Sequence, residues 1–202
     1  MKEFWDNRYK EKGFAYGKEP NVFVKESLDS LNHVGRALFP AEGEGRNSVY
    51  AATKGWNAIA YDISSAGQEK ALDLAKKHQT HIDYRIGGFM DIKFPEEHFD
   101  LLVYNYVHMP KPMKAAVFRR HMPWMKPNST VIFEAFSVNN LPYREANPRV
   151  GGPDQLDMLY SIEEVKELLD GFSNLKVWEE EVNLLEGKYH IGKAKVIRAI
   201  NK

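Results

Sequence analysis

Short apolar runs and amphipathic stretches alternate along most of the chain. "RALF" (36–39), "NAIAYDI" (57–63), "IDYRIG" (82–87), "FDLLVYNYV" (99–107) and "STVIFEAFS" (129–137) read as strands. The fourth is almost wholly apolar, the pattern of a strand buried on both faces. Between them, apolar residues at helical spacing predict helices over 46–54, 66–78 and 114–125. Gly55 falls where a C-capping glycine belongs, Ser64 or Ser65 can cap the second helix, and Pro123 kinks or ends the third. A further helix over 161–172 opens with Ser161 and Glu164, a capping-box pair. Ahead of the first strand, Val22, Phe23, Leu28 and Leu31 also have helical spacing. The runs 175–186 and 189–200, joined near Gly187, suggest a hairpin. Residues 138–155 form a loop rich in Pro, Asn and Gly, long for a compact domain and of the kind that carries function.

Strands alternating with helices predict an α/β fold: a doubly wound, Rossmann-like, mostly parallel seven-stranded sheet with an antiparallel C-terminal hairpin and helices on both faces. Ligands bind such sheets at the carboxyl ends of the strands, where strand order reverses. The 202 residues suit one domain, with 1–34 as an N-terminal lid and helix and 35–202 as the core. Lys+Arg and Asp+Glu are equal at 28 each, which argues against nucleic acid as a partner. No apolar run approaches the ~20 residues that span a bilayer. The first residues lack a signal-peptide core, so the expected location is cytoplasmic. There is no cysteine, which removes disulfides, thiolate metal sites and cysteine nucleophiles.

The stretch with most chemical content is "LFPAEGEGRN" (38–47), between a strand and a helix. Its glycines allow close approach of a ligand. Asp62, at the end of the next strand, lies at the ~20-residue distance from which an acid accepts hydrogen bonds from ribose hydroxyls. A P-loop lysine is missing, and Glu42 and Glu44 would repel a pyrophosphate. An adenosine-bearing ligand with a cationic centre suits these acids better, and S-adenosylmethionine is one. The plainer alternative makes both glutamates solvated loop residues.

"LFPAEGEGRNSVYAATKGWNAIAYDIS" resembles the first two motifs of class I S-adenosylmethionine-dependent methyltransferases, in particular the tellurite-resistance and thiopurine S-methyltransferase-like group. "FWDNRYKEKGFAYGKEPN" is similar to the aromatic N-terminal lid of that group. "GGFMDIKFPEEHFDLLV" is similar to its adenine-holding segment. "GGPDQLDMLYSIEEV" and "EGKYHIGKAKVIRAI" are similar to its C-terminal parts. Two features depart from the pattern: Phe39 and Pro40 precede the loop in place of an acid, and Ala41 replaces the first glycine. The second change is mild where φ is negative.

The resemblance implies roles for individual residues. Ala41, Glu42 and Gly43 would lie against the methionine part of the cofactor, and Gly45 would open the helix. Asp62 would bind the ribose and Ile63 the adenine. Asp91 would accept from the adenine amino group, with Met90 or Ile92 closing over the ring. Asn105 and Tyr106 would sit beside the methyl donor. Trp5, Tyr9 and Tyr16 would cover the cofactor, or else pack an N-terminal arm on the core. His108, Arg144, Tyr189 and His190 are candidates for the acceptor pocket, with His108 and His190 as candidate bases. His78 and His81 are too weakly spaced for a metal site. The expected activity is methyl transfer to a small molecule, a thiol or a tellurium or selenium oxyanion. The alternatives are a non-enzymatic S-adenosylmethionine-binding protein and a nicotinamide-dependent oxidoreductase.

Overall fold

The computed structural model describes residues 1–201. Strands β1 (Arg36–Pro40), β2 (Asn57–Asp62), β3 (Asp83–Ile86), β4 (Phe99–Asn105), β5 (Met125–Phe136), β6 (Leu175–Glu186) and β7 (His190–Asn201) form one sheet. Their order is β3-β2-β1-β4-β5-β7-β6. The first five in that order run parallel, while β7 pairs antiparallel with both β5 and β6. The chain winds from β1 outward through β2 to β3, then returns to β4 on the other side of β1. The reversal leaves a crevice at the carboxyl ends of β1 and β4, where open α/β sheets take ligands.

Period-two alternation divides the strands between two cores. Ala37, Phe39, Ala58, Ala60, Leu101 and Val103 pack on one face against α2 (Val22–Asp29), α3 (Arg46–Thr53) and α4 (Ser65–Lys77). Leu38, Ile59, Tyr61, Leu102 and Tyr104 pack on the other against α5 (Lys111–His121) and α7 (Ile162–Leu168). The helices start where side chains satisfy their free N–H groups. Asn21 accepts from Val24 N, Ser64 from Gly67 N and Ser161 from Glu164 N.

Several boundaries differ from the sequence pattern. Lys2–Lys10, where no helix is expected, is helix α1. It docks on α4: the Asp6 carboxylate accepts from Ser64 Oγ at 2.6 Å, and Tyr9 is buried beside Ala66. Helix α5 begins at Lys111 and ends at His121, and Met122–Trp124 form a 3-10 turn. Pro123 thus ends the helix, and Met125 already belongs to β5. The expected loop 138–155 holds a helical turn, α6 (Leu141–Ala146), between two 3-10 turns. No helix of the described residues is long and apolar enough to cross a membrane.

Candidate active site

The loop after β1 is built around two carboxylates at different heights. Glu42 turns into the start of α3: its Oε1 accepts from Asn47 N at 2.9 Å and Ser48 N at 2.7 Å. Gly45, the N-cap residue, has no side chain to do this. Burial pushes the Glu42 carboxyl up to about 7, against the pull of these N–H groups. Glu44 is buried and serves the N-terminal arm instead. It accepts from Ala15 N at 2.7 Å and pairs with Lys70 at 2.8 Å, tying the N-terminal arm to α4. The two glutamates are therefore not solvated loop residues.

The glycines are required by close neighbours. A Cβ at Gly43 would lie 2.5 Å from the Tyr9 hydroxyl, and one at Gly45 2.5 Å from Ala71 Cβ. Both have positive φ. So does Ala41, at 50°, so the condition under which that replacement would be mild, a negative φ, is not met.

Asp62 ends β2 at the rim of this loop and is buried. Its Oδ2 accepts from Gly43 N at 3.1 Å and its Oδ1 from Ser64 N at 2.9 Å. No cationic side chain among the described residues pairs with it, and burial raises its carboxyl to about 6. Beyond Asp62, Ile63 lies near Gly88, whose Cβ position is 3.6 Å from Ile63 Cγ2 and 3.1 Å from Asp91 Oδ2. Asp91 accepts from Gly88 N at 2.9 Å, and Ile92 and Phe89 each pack against the edge of the core. Met90 is exposed, while its carbonyl and that of Ile92 accept from Arg120.

At the end of β4 the chain departs from extended geometry. Tyr106 has φ 53°, uncommon for a bulky residue, and its N–H still reaches Glu134 O at 2.7 Å. Asn105 Oδ1 accepts from Asn47 Nδ2 at 3.1 Å, whereas its own buried Nδ2 has no partner. Beside it lies a buried ionic chain. The Arg46 guanidinium donates to Tyr16 O and, at 3.0 Å, to Glu186 Oε2. Glu186 Oε2 also accepts from His190 Nδ1 at 3.0 Å. Burial alone would raise the Glu186 carboxyl, but Arg46 and His190 outweigh it and bring it down to about 2. An ionised Glu186 can only accept, so Nδ1 carries the proton and Nε2 is the free nitrogen of His190. Burial lowers the His190 pKa, and Glu186 opposes part of that shift.

His190 faces a cavity of about 130 Å³ that Arg8, Tyr16, Arg144, Gly151 and Tyr189 also line. Tyr16 and Tyr106 lie against the imidazole, with ring centroids 4.5 and 4.6 Å away. Trp5 does not line this chamber; it stacks on Tyr9 and lies behind Arg8, whose Cζ is 5.7 Å from its ring centroid. His108 is also used elsewhere. Its Nδ1 donates to Met158 O at 2.9 Å and its Nε2 accepts from Phe136 N at 3.3 Å. Burial holds it neutral, at about 4. With both nitrogens occupied by backbone, it has none for an acceptor.

Arg8, Arg46 and Glu186 belong to this constellation without having been singled out by motif. For Glu186 the signal was available. It stands four residues before His190, across Gly187, a spacing that a hairpin turn brings together.

Residues 40–128 match the family model described as a methyltransferase domain. No curated protein matches the sequence. Among solved structures, one concerns the conversion of a disulfide bond into a thioacetal group during echinomycin biosynthesis. It is similar at TM-score 0.70 and 16% identity, over 100% of this chain and 92% of that one. A SAM-dependent methyltransferase from Archaeoglobus fulgidus is similar at TM-score 0.64 and 13% identity, over 89% of this chain and 91% of that one. Burkholderia thailandensis 1,6-didemethyltoxoflavin-N1-methyltransferase, solved with 1,6-didemethyltoxoflavin and S-adenosylhomocysteine, gives TM-score 0.60 and 15% identity. That likeness spans 89% of this chain and 76% of the other. The chain thus has the Rossmann-like fold that these structures share.

Proposed function

We propose that this protein transfers a methyl group from S-adenosylmethionine to a small-molecule acceptor held beside His190. One observation carries the reading: the buried, cation-free Asp62 and, through Arg46, the Glu186–His190 pair flank the same glycine loop, which opens the segment 40–128 that matches a methyltransferase domain.

The residues fit the cofactor. Each Asp62 oxygen takes one backbone N–H and keeps a lone pair for a ribose hydroxyl. Ile63, Ile92 and Phe89 offer apolar faces to an adenine, with Asp91 and Met90 at its edge. Ala41, Glu42, Gly43 and Asn105 would border the methionine part, and the unpartnered Asn105 Nδ2 suits a carboxylate. When bound, S-adenosylmethionine supplies a methyl group on a sulfonium that is already a good leaving group.

The chain's own task is to align the acceptor and exclude water. Helix α1, Tyr16 and Tyr189 wall the chamber from solvent. Nε2 of His190 takes the acceptor's proton where the nucleophile needs deprotonation, and Glu186 stabilises the imidazolium that results. Tyr106 packs edge-on against the same imidazole. The acceptor belongs to the small molecules that tellurite-resistance and thiopurine methyltransferase-like enzymes take, a thiol or a tellurium or selenium oxyanion.

Calorimetric titration with S-adenosylmethionine, S-adenosylhomocysteine and NAD tests this on the native chain and on Asp62→Ala. Micromolar binding of the first two, lost in the variant, is expected. Binding of NAD alone overturns the proposal.

A further inference from the structure

The chamber beside His190 is lined by two guanidinium groups and by no carboxylate. They come from distant parts of the chain, Arg8 from α1 and Arg144 from α6. Other arginines of this region are neutralised. Arg46 pairs with Glu186, and Arg198 with Glu134 and Glu180. Arg8 has no ion pair among the described residues. It donates one bond, from Nη1 to the Tyr16 hydroxyl at 3.1 Å, and stacks on Tyr189 with Cζ 4.1 Å from the ring centroid. A guanidinium carries five N–H donors, so most of this fork is unused. Arg144 is held by Nε, which donates to Gly152 O at 2.9 Å. Its Nη2 reaches only the exposed Asp154, at 3.5 Å.

The fork of Arg8 is aimed by packing. The Tyr189 and Phe4 rings lie 4.1 and 4.7 Å from its Cζ, and the Tyr16 hydroxyl fixes one edge. The N–H groups of this fork that Tyr16 does not use are left for a ligand or solvent. The chamber floor leaves room for little else. A Cβ at Gly151 would lie 2.6 Å from His190 Cδ2 and one at Gly152 2.8 Å from Phe136, so this loop lies flat on the two rings. At about 130 Å³ the space is well below the ~300–1,000 Å³ of drug-sized sites.

We infer that the methyl acceptor is a small anion, a carboxylate or an oxyanion, docked between Arg8 and Arg144 with its nucleophilic atom turned to His190. The inference rests on the proposed methyl transfer. Guanidinium forks match the two oxygens of such groups, and the same charges disfavour a cationic amine acceptor. Because Arg8 stands two residues from Asp6, which fastens α1 to α4, the bound anion also ties this helix over the chamber.

The test uses thioglycolate and 2-mercaptoethanol, which offer the same thiol with and without a carboxylate, and selenite as the inorganic oxyanion. Each is titrated by calorimetry into protein loaded with S-adenosylhomocysteine, for the native chain and for Arg8→Gln, Arg8→Lys and Arg144→Gln. An anionic probe is expected to bind about tenfold or more tighter than 2-mercaptoethanol. That preference should collapse in the Gln variants and return in part in Arg8→Lys, with affinity for S-adenosylhomocysteine unchanged. The carboxylate and oxyanion arms show which anion the chamber takes. Equal affinity for neutral and anionic probes, no binding of either anion, or a preference that survives both Gln substitutions overturns the inference. Failure of S-adenosylhomocysteine itself to bind would instead remove the methyl-transfer reading. The same titrations on the free protein would then still decide the anion preference.

Discussion

Glu186 and His190 face each other as the last pair of the β6–β7 ladder, joined by a 3.0 Å hydrogen bond from Nδ1 to Oε2. The carboxylate fixes the imidazole's tautomer and raises its basicity against the effect of burial. His190→Asn is therefore expected to lower kcat/KM by about 10²–10⁴ for an acceptor that must lose a proton. For an acceptor that is already an anion at its nucleophilic atom, the change should be far smaller. Comparing the two acceptors in a radiolabelled-methyl assay checks this. Equal losses on both would remove the base role.

Replacing Glu186 by Gln removes the negative charge that favours the imidazolium. The His190 pKa then falls, and the acidic limb of the kcat/KM–pH profile moves to lower pH. Melting curves should accompany the profile, because Arg46 loses its counter-charge in a buried setting. An acidic limb that stays in place would mean that Glu186 serves only to neutralise Arg46.

Asp62→Asn keeps the shape of the side chain but removes its charge and turns one acceptor into a donor that faces a backbone N–H. Affinity for S-adenosylhomocysteine should drop by about tenfold or more, measured by calorimetry. Unchanged affinity would exclude Asp62 from the cofactor site.

Burial raises Glu42 from 4.5 to about 7 and Asp62 from 3.8 to about 6. Between the unfolded and folded values each group holds more proton in the folded chain, so each contributes a loss of stability as pH rises through that window. Buried His108 and His121, lowered to about 4 and about 3, act in the opposite direction. The informative quantity is thus a difference. Glu42→Gln should gain thermal stability relative to the native chain as pH rises from about 4.5 to 7, with the gain levelling off above. A difference that shrinks over this range contradicts the assigned burial.

Gly45→Ala meets Ala71 directly at φ 82°, whereas Gly13→Ala, at φ 84°, has nothing within 4 Å. The second measures the cost of the left-handed conformation alone, about 1 kcal/mol. The first adds overpacking of ~1–3 kcal/mol. The melting point of Gly45→Ala should therefore fall several degrees further than that of Gly13→Ala.

The strands and most helices were legible because their signals are local. Alternating residues such as Ala37, Leu38 and Phe39 must face opposite sides of a pleated strand, and each side needs a cover. Ser64 and Ser161 cap within their own turn, a few residues from the groups they satisfy. Helix α1 was missed because its residues have little apolar periodicity of their own. It is held by Asp6 and Tyr9 against α4, nearly sixty residues away.

What the amino-acid order alone determined is a doubly wound, mostly parallel α/β sheet and the glycine loop after its first strand. The spacing of apolar residues, glycines and caps is enough for these, while the order of the strands came from the fold. Tertiary structure alone decided which polar residues share the crevice. It turned Glu42 into a helix cap and Glu44 into an anchor for the N-terminal arm, and occupied His108 with backbone partners. It also joined Arg46 to Glu186 across 140 residues and brought Arg8 to the same chamber as Arg144. These pairings depend on how the hairpin and α1 close over the sheet, and burial then sets their charges, so neither is written in the spacing along the chain.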